Sequence, residues 1–161
     1  MLESLVYVLT NFPLLLKGVW IAVLITVCSM LLGMVLGIAV AFLRIYGKKP
    51  VRKAVSVYEW IFRGLPQLVM LFIVYFGLPE LGLNLGPFLS VVLALGLCSS
   101  AYQAQIYRGA ILSIGSEQME AGLSLGMTKT QTLFHIILPQ AVRLSLPGFT
   151  NEFTIVLKDS P

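Results

Sequence analysis

One long apolar run does most to limit what this chain can fold into. Residues 14–43 contain a single charged side chain, Lys17, and a few small polar residues. A helix needs about 20 apolar residues to cross a bilayer, so this run is long enough to span one with tilt. Gly33 and Gly37 within it form a small-xxx-small pair, which marks either a close helix–helix contact or simply the general frequency of glycine in membrane helices.

The overall composition also indicates a membrane protein. The chain has 161 residues, of which 58% are hydrophobic and 11% are charged, whereas a soluble domain is about 25% charged. The formal net charge of +4 does not indicate nucleic-acid binding, because the basic residues cluster between apolar runs without interleaved aromatic residues. Cys28 and Cys98 lie inside apolar runs and lack metal-ligand spacing, so both are predicted to be free thiols.

A basic segment follows the first apolar run. Such a segment between two spans is typical of the cytoplasmic side of a membrane protein, and a nucleic-acid or phosphoinositide role is the less common alternative. The N-terminus is therefore expected outside the cell membrane. The segment covers residues 44–53, has no acidic residue, and carries Arg44, Lys48, Lys49, Arg52 and Lys53.

The second predicted span, residues 54–77, has polar residues and a proline in its first half. We expect Arg63 near the cytoplasmic face and a bend at Gly64 and Pro66. Arg63 either helps to line a polar path or anchors the helix at the interface, with Glu59 four residues earlier as its ion-pair partner. A turn-rich segment without lysine or arginine then leads to the third span on the outer side.

The third predicted span, residues 88–107, becomes polar in its second half. Helical spacing places Ser99, Tyr102 and Gln103 on one face and Gln105 off it. Polar side chains in a membrane helix face either other helices or a wet cavity. This face is therefore a candidate translocation path, and hydrogen bonding between helices is the equally open alternative.

Residues 116–140 form a polar segment between two apolar ones, and we call this segment the docking knob. Ser116 is expected to cap its first helix, and Gly126 to end that helix in the left-handed conformation. Thr128 with Gln131 three residues later predicts a capping box for a second helix. Two short helices bent at a glycine would form a compact projection outside the membrane, which suits docking of a soluble partner.

The motif order in the docking knob resembles the cytoplasmic EAA loop of importer-type ABC transporter permeases. In that loop the family has Glu-Ala-Ala, and this chain has Gly122 for the second alanine. The flanks resemble the polar amino acid uptake branch of these permeases. The matching residues are Glu120-Ala121-Gly122, Gly126, Ile136 and Leu138-Pro139 in the knob, with Arg63-Gly64-Leu65-Pro66, Ile106 to Ile111, Gln140 to Arg143 and Lys158-Asp159-Ser160 around it.

The resemblance implies an all-α integral membrane protein: a transmembrane helix bundle with a cytoplasmic coupling helix. Residues 1–161 would form one permease domain, with residues 144–161 starting a fourth span and a fifth span in the complete protein, so the chain is expected to be truncated. It would lie in the bacterial inner membrane and translocate polar amino acids delivered by a binding protein. The residues expected to couple it to the ATPase are Glu120, Ala121, Gly122 and Gly126.

The implied partners are two ABC ATPase subunits, a second permease subunit, identical or related, a substrate-binding protein, an amino acid and the lipid bilayer. Nucleic acid is not among them. The chain lacks a Gly-Lys-Thr or Gly-Lys-Ser phosphate loop, a metal-binding cluster and a nucleophile with a neighbouring base, so it is not predicted to be an enzyme or to bind a cofactor. The remaining path candidates are Glu152, Lys158 and Asp159, which could instead pair with one another.

Two other classes of function stay open at this point. One is an ATP-independent channel or secondary transporter subunit, and the other is an inactive, truncated assembly partner. The sequence does not specify which amino acid is carried.

Overall fold

The computed structural model describes the backbone of residues 2–159 and the side chains of residues 12–158, and that part of the chain consists of helices and short connections, without a strand. Eight α-helices follow one another, two of them joined to the next helix by a π-helical segment. They are α1 (Leu2–Tyr46), α2 (Lys49–Gly64), α3 (Gln67–Phe72), a π-helix (Ile73–Gly77), α4 (Leu78–Glu80), α5 (Gly86–Ser113), α6 (Glu117–Ser124), α7 (Lys129–Thr132), a second π-helix (Leu133–Ile137) and α8 (Leu138–Asp159).

Two helices in the described part are long and apolar enough to cross a membrane, namely α1 from Phe12 onward and α5. The predicted spans 14–43 and 88–107 lie inside these two helices. Pro13 lies inside α1. Loss of a single backbone donor near one end is tolerated in a long helix whose other hydrogen bonds remain.

The second predicted span, residues 54–77, is a bent pair of helices. The axis turns by 104° between α2 and the segment Gln67–Glu80. Leu65 has an extended backbone, with φ −86° and ψ 135°, because the residue before a proline is pushed out of the helical region. Pro66 is the residue immediately before α3, which begins at Gln67. The break therefore lies between Gly64 and Gln67, where the sequence predicted a bend.

The α1–α5 contact forms the centre of the described fold. A Cβ atom added to Gly37 would lie 3.0 Å from Gln103 Cβ and 3.1 Å from the Ser100 carbonyl oxygen. Gly33 faces Gln103 in the same way, with a hypothetical Cβ 2.7 Å from its Nε2. The small-xxx-small pair is thus a packing face within this chain, because each glycine lets α5 approach the backbone of α1.

Each π-helical segment precedes a proline by two residues. Pro79 follows Ile73–Gly77, and Pro139 follows Leu133–Ile137. A proline ring crowds the carbonyl four residues earlier, and the wider π turn relieves that contact. As a result, helical structure continues from Lys129 to Asp159, so the second half of the docking knob and the predicted start of span 4 form one continuous element.

Candidate functional site

The first helix of the docking knob begins without the expected cap. Ser116 makes no capping hydrogen bond, and its backbone is already helical, with φ −72° and ψ −21°. A capping residue needs an extended backbone, so the prediction for Ser116 is wrong. Gly115, with φ +78°, makes the turn into α6 instead. Glu117 and Glu120 still lie in the first turn, near the positive end of the helix dipole.

The end of α6 follows the sequence closely. Gly126 has φ +79°, which confirms the predicted left-handed position. The Gly126 amide donates to the Leu123 carbonyl at 3.0 Å, and the Met127 amide donates to the Gly122 carbonyl at 3.1 Å. These two bonds are the Schellman pattern, which satisfies the last carbonyl groups of the helix. They fix the angle at which the chain leaves α6.

The predicted capping box is also confirmed. The Gln131 amide donates to Thr128 Oγ1 at 3.3 Å, and the Thr128 amide donates to Gln131 Oε1 at 2.8 Å. Two otherwise unpaired donors at the start of α7 are thereby satisfied. Because α6 and α7 are each closed by local bonds on either side of Gly126, the docking knob has a defined shape without a partner.

The motif residues of α6 divide into an outward group and one inward residue. Glu120 and Ala121 are exposed, and Gly122 is buried against α7. The outward side continues into apolar side chains, with Leu123 41% and Leu125 79% exposed. Uncovered apolar surface of this kind on a projecting helix suits contact with another protein.

A second candidate site is a cleft of about 390 Å³ between α2, α5 and α8. It is open on one side and combines a cationic, an aromatic, an amide and an acidic side chain. The lining residues are Arg63, Tyr102, Gln105, Ile106, Gly148, Asn151, Glu152 and Ile155.

Arg63 sits over the ring of Tyr102 at the mouth of this cleft. The guanidinium carbon lies 5.6 Å from the ring centroid, and the Tyr102 hydroxyl donates to the Arg63 carbonyl at 3.4 Å. The ion pair between Glu59 and Arg63, which was one of the two alternatives for Arg63, is not formed. Glu59 turns toward α1, where its Oε2 lies 3.6 Å from Arg44 Nε, whereas Arg63 at the end of α2 reaches α5.

Ser99 and Gln103 lie behind the cleft in the buried interior, where both are at most 2% exposed. The Gln103 amide donates to the Met30 carbonyl at 3.2 Å and to Ser99 Oγ at 3.0 Å, and Ser99 Oγ donates to Glu152 Oε1 at 3.0 Å. The three bonds join α1, α5 and α8. These two residues thus hold helices together, which was the alternative to their lining a path.

Of the residues predicted to line a path, the structure places Tyr102 and Glu152 at the cleft, together with Arg63. Gln105, which helical spacing had placed off the candidate face, lines the cleft with Tyr102, three residues before it on α5. Lys158 is exposed on the last turn of α8 and is not one of the lining residues. The side chain of Asp159 lies outside the described residues.

In the part of the chain that the structure describes, no group of three or more His, Cys, Asp or Glu side chains is placed to hold a metal ion. Cys28 and Cys98 are free thiols.

Comparison with known proteins gives consistent matches over most of the chain. Residues 33–161 match the family described as "Binding-protein-dependent transport system inner membrane component". The L-cystine transport system permease protein TcyB of Bacillus subtilis (strain 168) is 40% identical over 149 residues, covering 92% of this chain and 64% of that protein. The glutamine transport system permease protein GlnP of Escherichia coli (strain K12) is 36% identical over 150 residues, covering 92% and 68%. The chain thus spans about two thirds of the length of these relatives.

Solved structures agree with the sequence matches. A crystal structure of an amino acid ABC transporter with histidines has a chain of 35% identity and a TM-score of 0.88, covering 96% of this chain and 72% of that one. An inward-facing structure of the MetNI methionine ABC transporter has 28% identity and a TM-score of 0.72, covering 92% and 70%. The chain therefore belongs to the family of binding-protein-dependent transport system inner membrane components, which are multi-pass membrane permease subunits and not catalytic enzymes.

Proposed function

We propose that this protein is the membrane-spanning permease subunit of an ATP-driven importer of polar amino acids. The observation that carries the proposal is the docking knob. It presents Glu120 and Ala121 outward on a helix whose end is fixed by Gly126. The substrate class is supported by relatives named for cystine, glutamine and arginine transport.

The proposed assembly has two docking knobs, one on each of two permease subunits that are identical or related. Each knob would bind one ABC ATPase subunit, and a substrate-binding protein would deliver the amino acid from the other side of the membrane. The cleft beside Glu152 is open, so the second permease subunit would complete the path. All ATP hydrolysis would take place in the partner subunits.

Coupling would use the continuous helix that follows Gly126. ATP binding draws the two ATPase subunits together, and each carries its knob with it. Helical structure runs from Lys129 to Asp159 without a break, so a movement of the knob is transmitted along α8 to Glu152. Alternating access is then a change in the angle between α8 and α5 around the cleft.

The cleft is our candidate for contact with the substrate. Arg63 supplies a cation for the carboxylate of an amino acid, and Glu152 supplies an anion for its ammonium group. Tyr102 adds an aromatic surface beside Arg63. Lys158 and Asp159 remain proposed path residues beyond this cleft. Ser99 and Gln103 serve as positioning residues, because Ser99 donates to the carboxylate of Glu152 and Gln103 donates to Ser99 Oγ.

The proposed orientation places the basic segment, residues 44–53, in the cytoplasm and the N-terminus outside. The bent pair α2–α4 then returns the chain to the outer side, and α5 brings it back. This order puts the docking knob on the cytoplasmic side, where ATP is available.

Affinity purification in mild detergent tests the proposal directly. The protein is isolated from its native membrane beside a Glu120→Lys variant, and proteins that accompany it are identified by mass spectrometry. We expect an ABC ATPase with the parent and at least a ten-fold lower yield with the variant. Glu117→Lys is the matched control, since it makes the same charge change in the same turn of α6. Absence of an ATPase from the parent sample would overturn the proposal.

A further inference from the structure

The outward face of α2 has no partner within the described chain. Trp60 is 77% exposed, Val57 is 49% exposed and Ile61 is 38% exposed. The opposite face is covered, with Val55 and Glu59 buried. An isolated exposed side chain needs no explanation, but three neighbouring apolar ones on one helix face indicate contact with another surface.

This face is held in a fixed position relative to the helix bundle. Glu59 pairs with Arg44 at the end of α1, and Arg44 Nη1 donates to the Arg52 carbonyl at 2.7 Å. On the other side, the Tyr58 hydroxyl donates to the Leu97 carbonyl of α5 at 3.2 Å. The 104° turn into the next helix means that α2 and α3 cannot both lie along the membrane normal. An α2 that lies inclined at the membrane surface is compatible with its contacts to α1 and α5 and with this turn.

Charge and hydrophobicity change along the exposed face of α2. Its first half carries the exposed lysines Lys49 and Lys53, and no acidic residue lies in residues 44–53. The apolar group with Trp60 begins one turn later. At 1.5 Å per residue, Lys53 and Trp60 are about 10 Å apart along the helix axis. With this separation, the lysine side chains can lie among the lipid phosphates while the indole ring of Trp60 lies at the edge of the hydrocarbon region.

We propose that the outward face of α2 is a binding surface for anionic phospholipid of the cytoplasmic leaflet. Clustered cations next to an aromatic and aliphatic group complement both the headgroup and the acyl chains of such a lipid. The proposal concerns a lipid contact and holds whichever amino acid is transported.

Two other occupants fit this face less well. A second copy of the same surface, related by two-fold symmetry, would bring two basic clusters together without an acidic partner. An acidic soluble protein would satisfy Lys49 and Lys53, but it would have to reach Trp60 at the depth of the membrane. Anionic lipid meets both requirements at once.

Fluorescence quenching of Trp60 tests the proposal. The chain has two tryptophans, so Trp20→Phe leaves Trp60 as the single reporter in the purified protein. This variant is reconstituted into phosphatidylcholine vesicles that contain the same fraction of brominated phosphatidylglycerol or brominated phosphatidylcholine. We expect at least two-fold stronger quenching by the brominated phosphatidylglycerol, and a smaller difference at high salt because the attraction is screened.

Two double variants test whether the preference for anionic lipid depends on the lysines of α2. Lys49→Gln with Lys53→Gln is expected to remove the preference for the anionic lipid. Lys129→Gln with Arg143→Gln removes the same charge from exposed positions elsewhere, and is expected to keep it. Equal quenching by both brominated lipids in the Trp20→Phe protein would overturn the proposal, as would no quenching, which would place Trp60 against protein or water. Loss of the preference in the control pair would also overturn it, since net charge would then explain the effect.

Discussion

Gly122 lies directly against the side chain of Thr132, so residue 122 has room for nothing larger than hydrogen. A Cβ atom added to Gly122 would lie 2.5 Å from Thr132 Oγ1 and 3.0 Å from Thr132 Cβ. Thr132 is fully buried, and its Oγ1 donates to the Thr128 carbonyl at 3.1 Å. The glycine that distinguishes this chain from the Glu-Ala-Ala pattern is therefore matched by a threonine that fills the space of the missing methyl group.

Gly122→Ala should loosen the docking knob. The new methyl group must displace Thr132, and overpacking of this kind costs about 1–3 kcal/mol. We expect a lower yield of co-purified ATPase and faster protease cleavage within residues 116–140. Gly109→Ala is the control, because Gly109 is helical and exposed and has nothing within 4 Å of an added Cβ. Equal behaviour of the two variants would show that the Gly122–Thr132 contact is not under steric pressure.

Gly126 allows a graded test of the left-handed turn. Alanine at φ +79° costs about 1–2 kcal/mol, and asparagine costs less because it tolerates this region. Proline cannot adopt that angle, and it removes the amide that donates to Leu123. We expect amino acid uptake per inserted protein to fall in the order Gly, Asn, Ala, Pro, with membrane insertion unchanged. Normal uptake by Gly126→Pro would refute the coupling role of the docking knob.

Ala121→Arg should block docking without disturbing the fold. Ala121 is exposed on α6, and surface substitutions of this kind usually change stability by less than about 0.5 kcal/mol. We expect at least a ten-fold loss of uptake and of co-purified ATPase, at parental protein abundance. Thr130→Arg, an exposed site on α7, adds the same side chain beside the patch and should transport normally. Similar losses in both would mean that charge alone disturbs docking.

The parts of the knob that could be predicted from the sequence are those closed by local bonds. Thr128 with Gln131, and Gly126 with the end of α6, each involve residues within four positions of one another. Ser116 was misassigned because its residue type suits a cap, whereas the backbone set by Gly115 does not. Residue type is visible in the sequence, and backbone conformation is visible only where glycine or proline fixes it.

Partner choice between helices could not be predicted in the same way. Helical spacing put Glu59 within reach of Arg63, but the ion pair forms with Arg44 on α1, fifteen positions away in the chain. Spacing also grouped Ser99 with Tyr102, while the position of α1 and α8 buries the first and leaves the second at the cleft. The sequence shows which residues share a helix face, but not which neighbouring helix covers that face.

The Arg44–Glu59 pair should behave as a partly buried ion pair in a mutant cycle. Glu59 is 5% exposed and Arg44 is 24% exposed, so loss of Arg44 leaves a nearly buried carboxylate without its cation. We expect Arg44→Gln to destabilise the purified protein by about 2 kcal/mol, below the ~3–5 kcal/mol of a fully buried pair. The double variant Arg44→Gln/Glu59→Gln should recover part of the loss in thermal unfolding. Additive losses would indicate that the two side chains act independently.

Substitutions of Glu152 and Ser99 distinguish the effect of losing the negative charge at the cleft from the effect of moving the carboxylate. Glu152→Gln removes the negative charge, but its amide oxygen can still accept the hydrogen bond from Ser99 Oγ, which is 3.0 Å long in the parent. Ser99→Ala keeps the charge and removes that bond. If Glu152 faces the ammonium group of the substrate, the loss of one charge-assisted hydrogen bond, worth about 1.5–3 kcal/mol, should lower uptake roughly ten-fold or more. The Ser99 variant should lose less, since only the positioning of the carboxylate is relaxed.

Uptake of labelled polar amino acids, normalised to protein in the membrane, distinguishes the two roles. For Glu152→Gln we expect the KM for uptake to rise, with co-purified ATPase at the parental level. A structural role alone would lower protein abundance in both variants and leave the KM unchanged, because the bundle would assemble poorly but bind normally. Parental KM in Glu152→Gln at normal abundance would remove Glu152 from the substrate path, and Arg63 with Tyr102 would then be the remaining polar contacts to test at the mouth of the cleft.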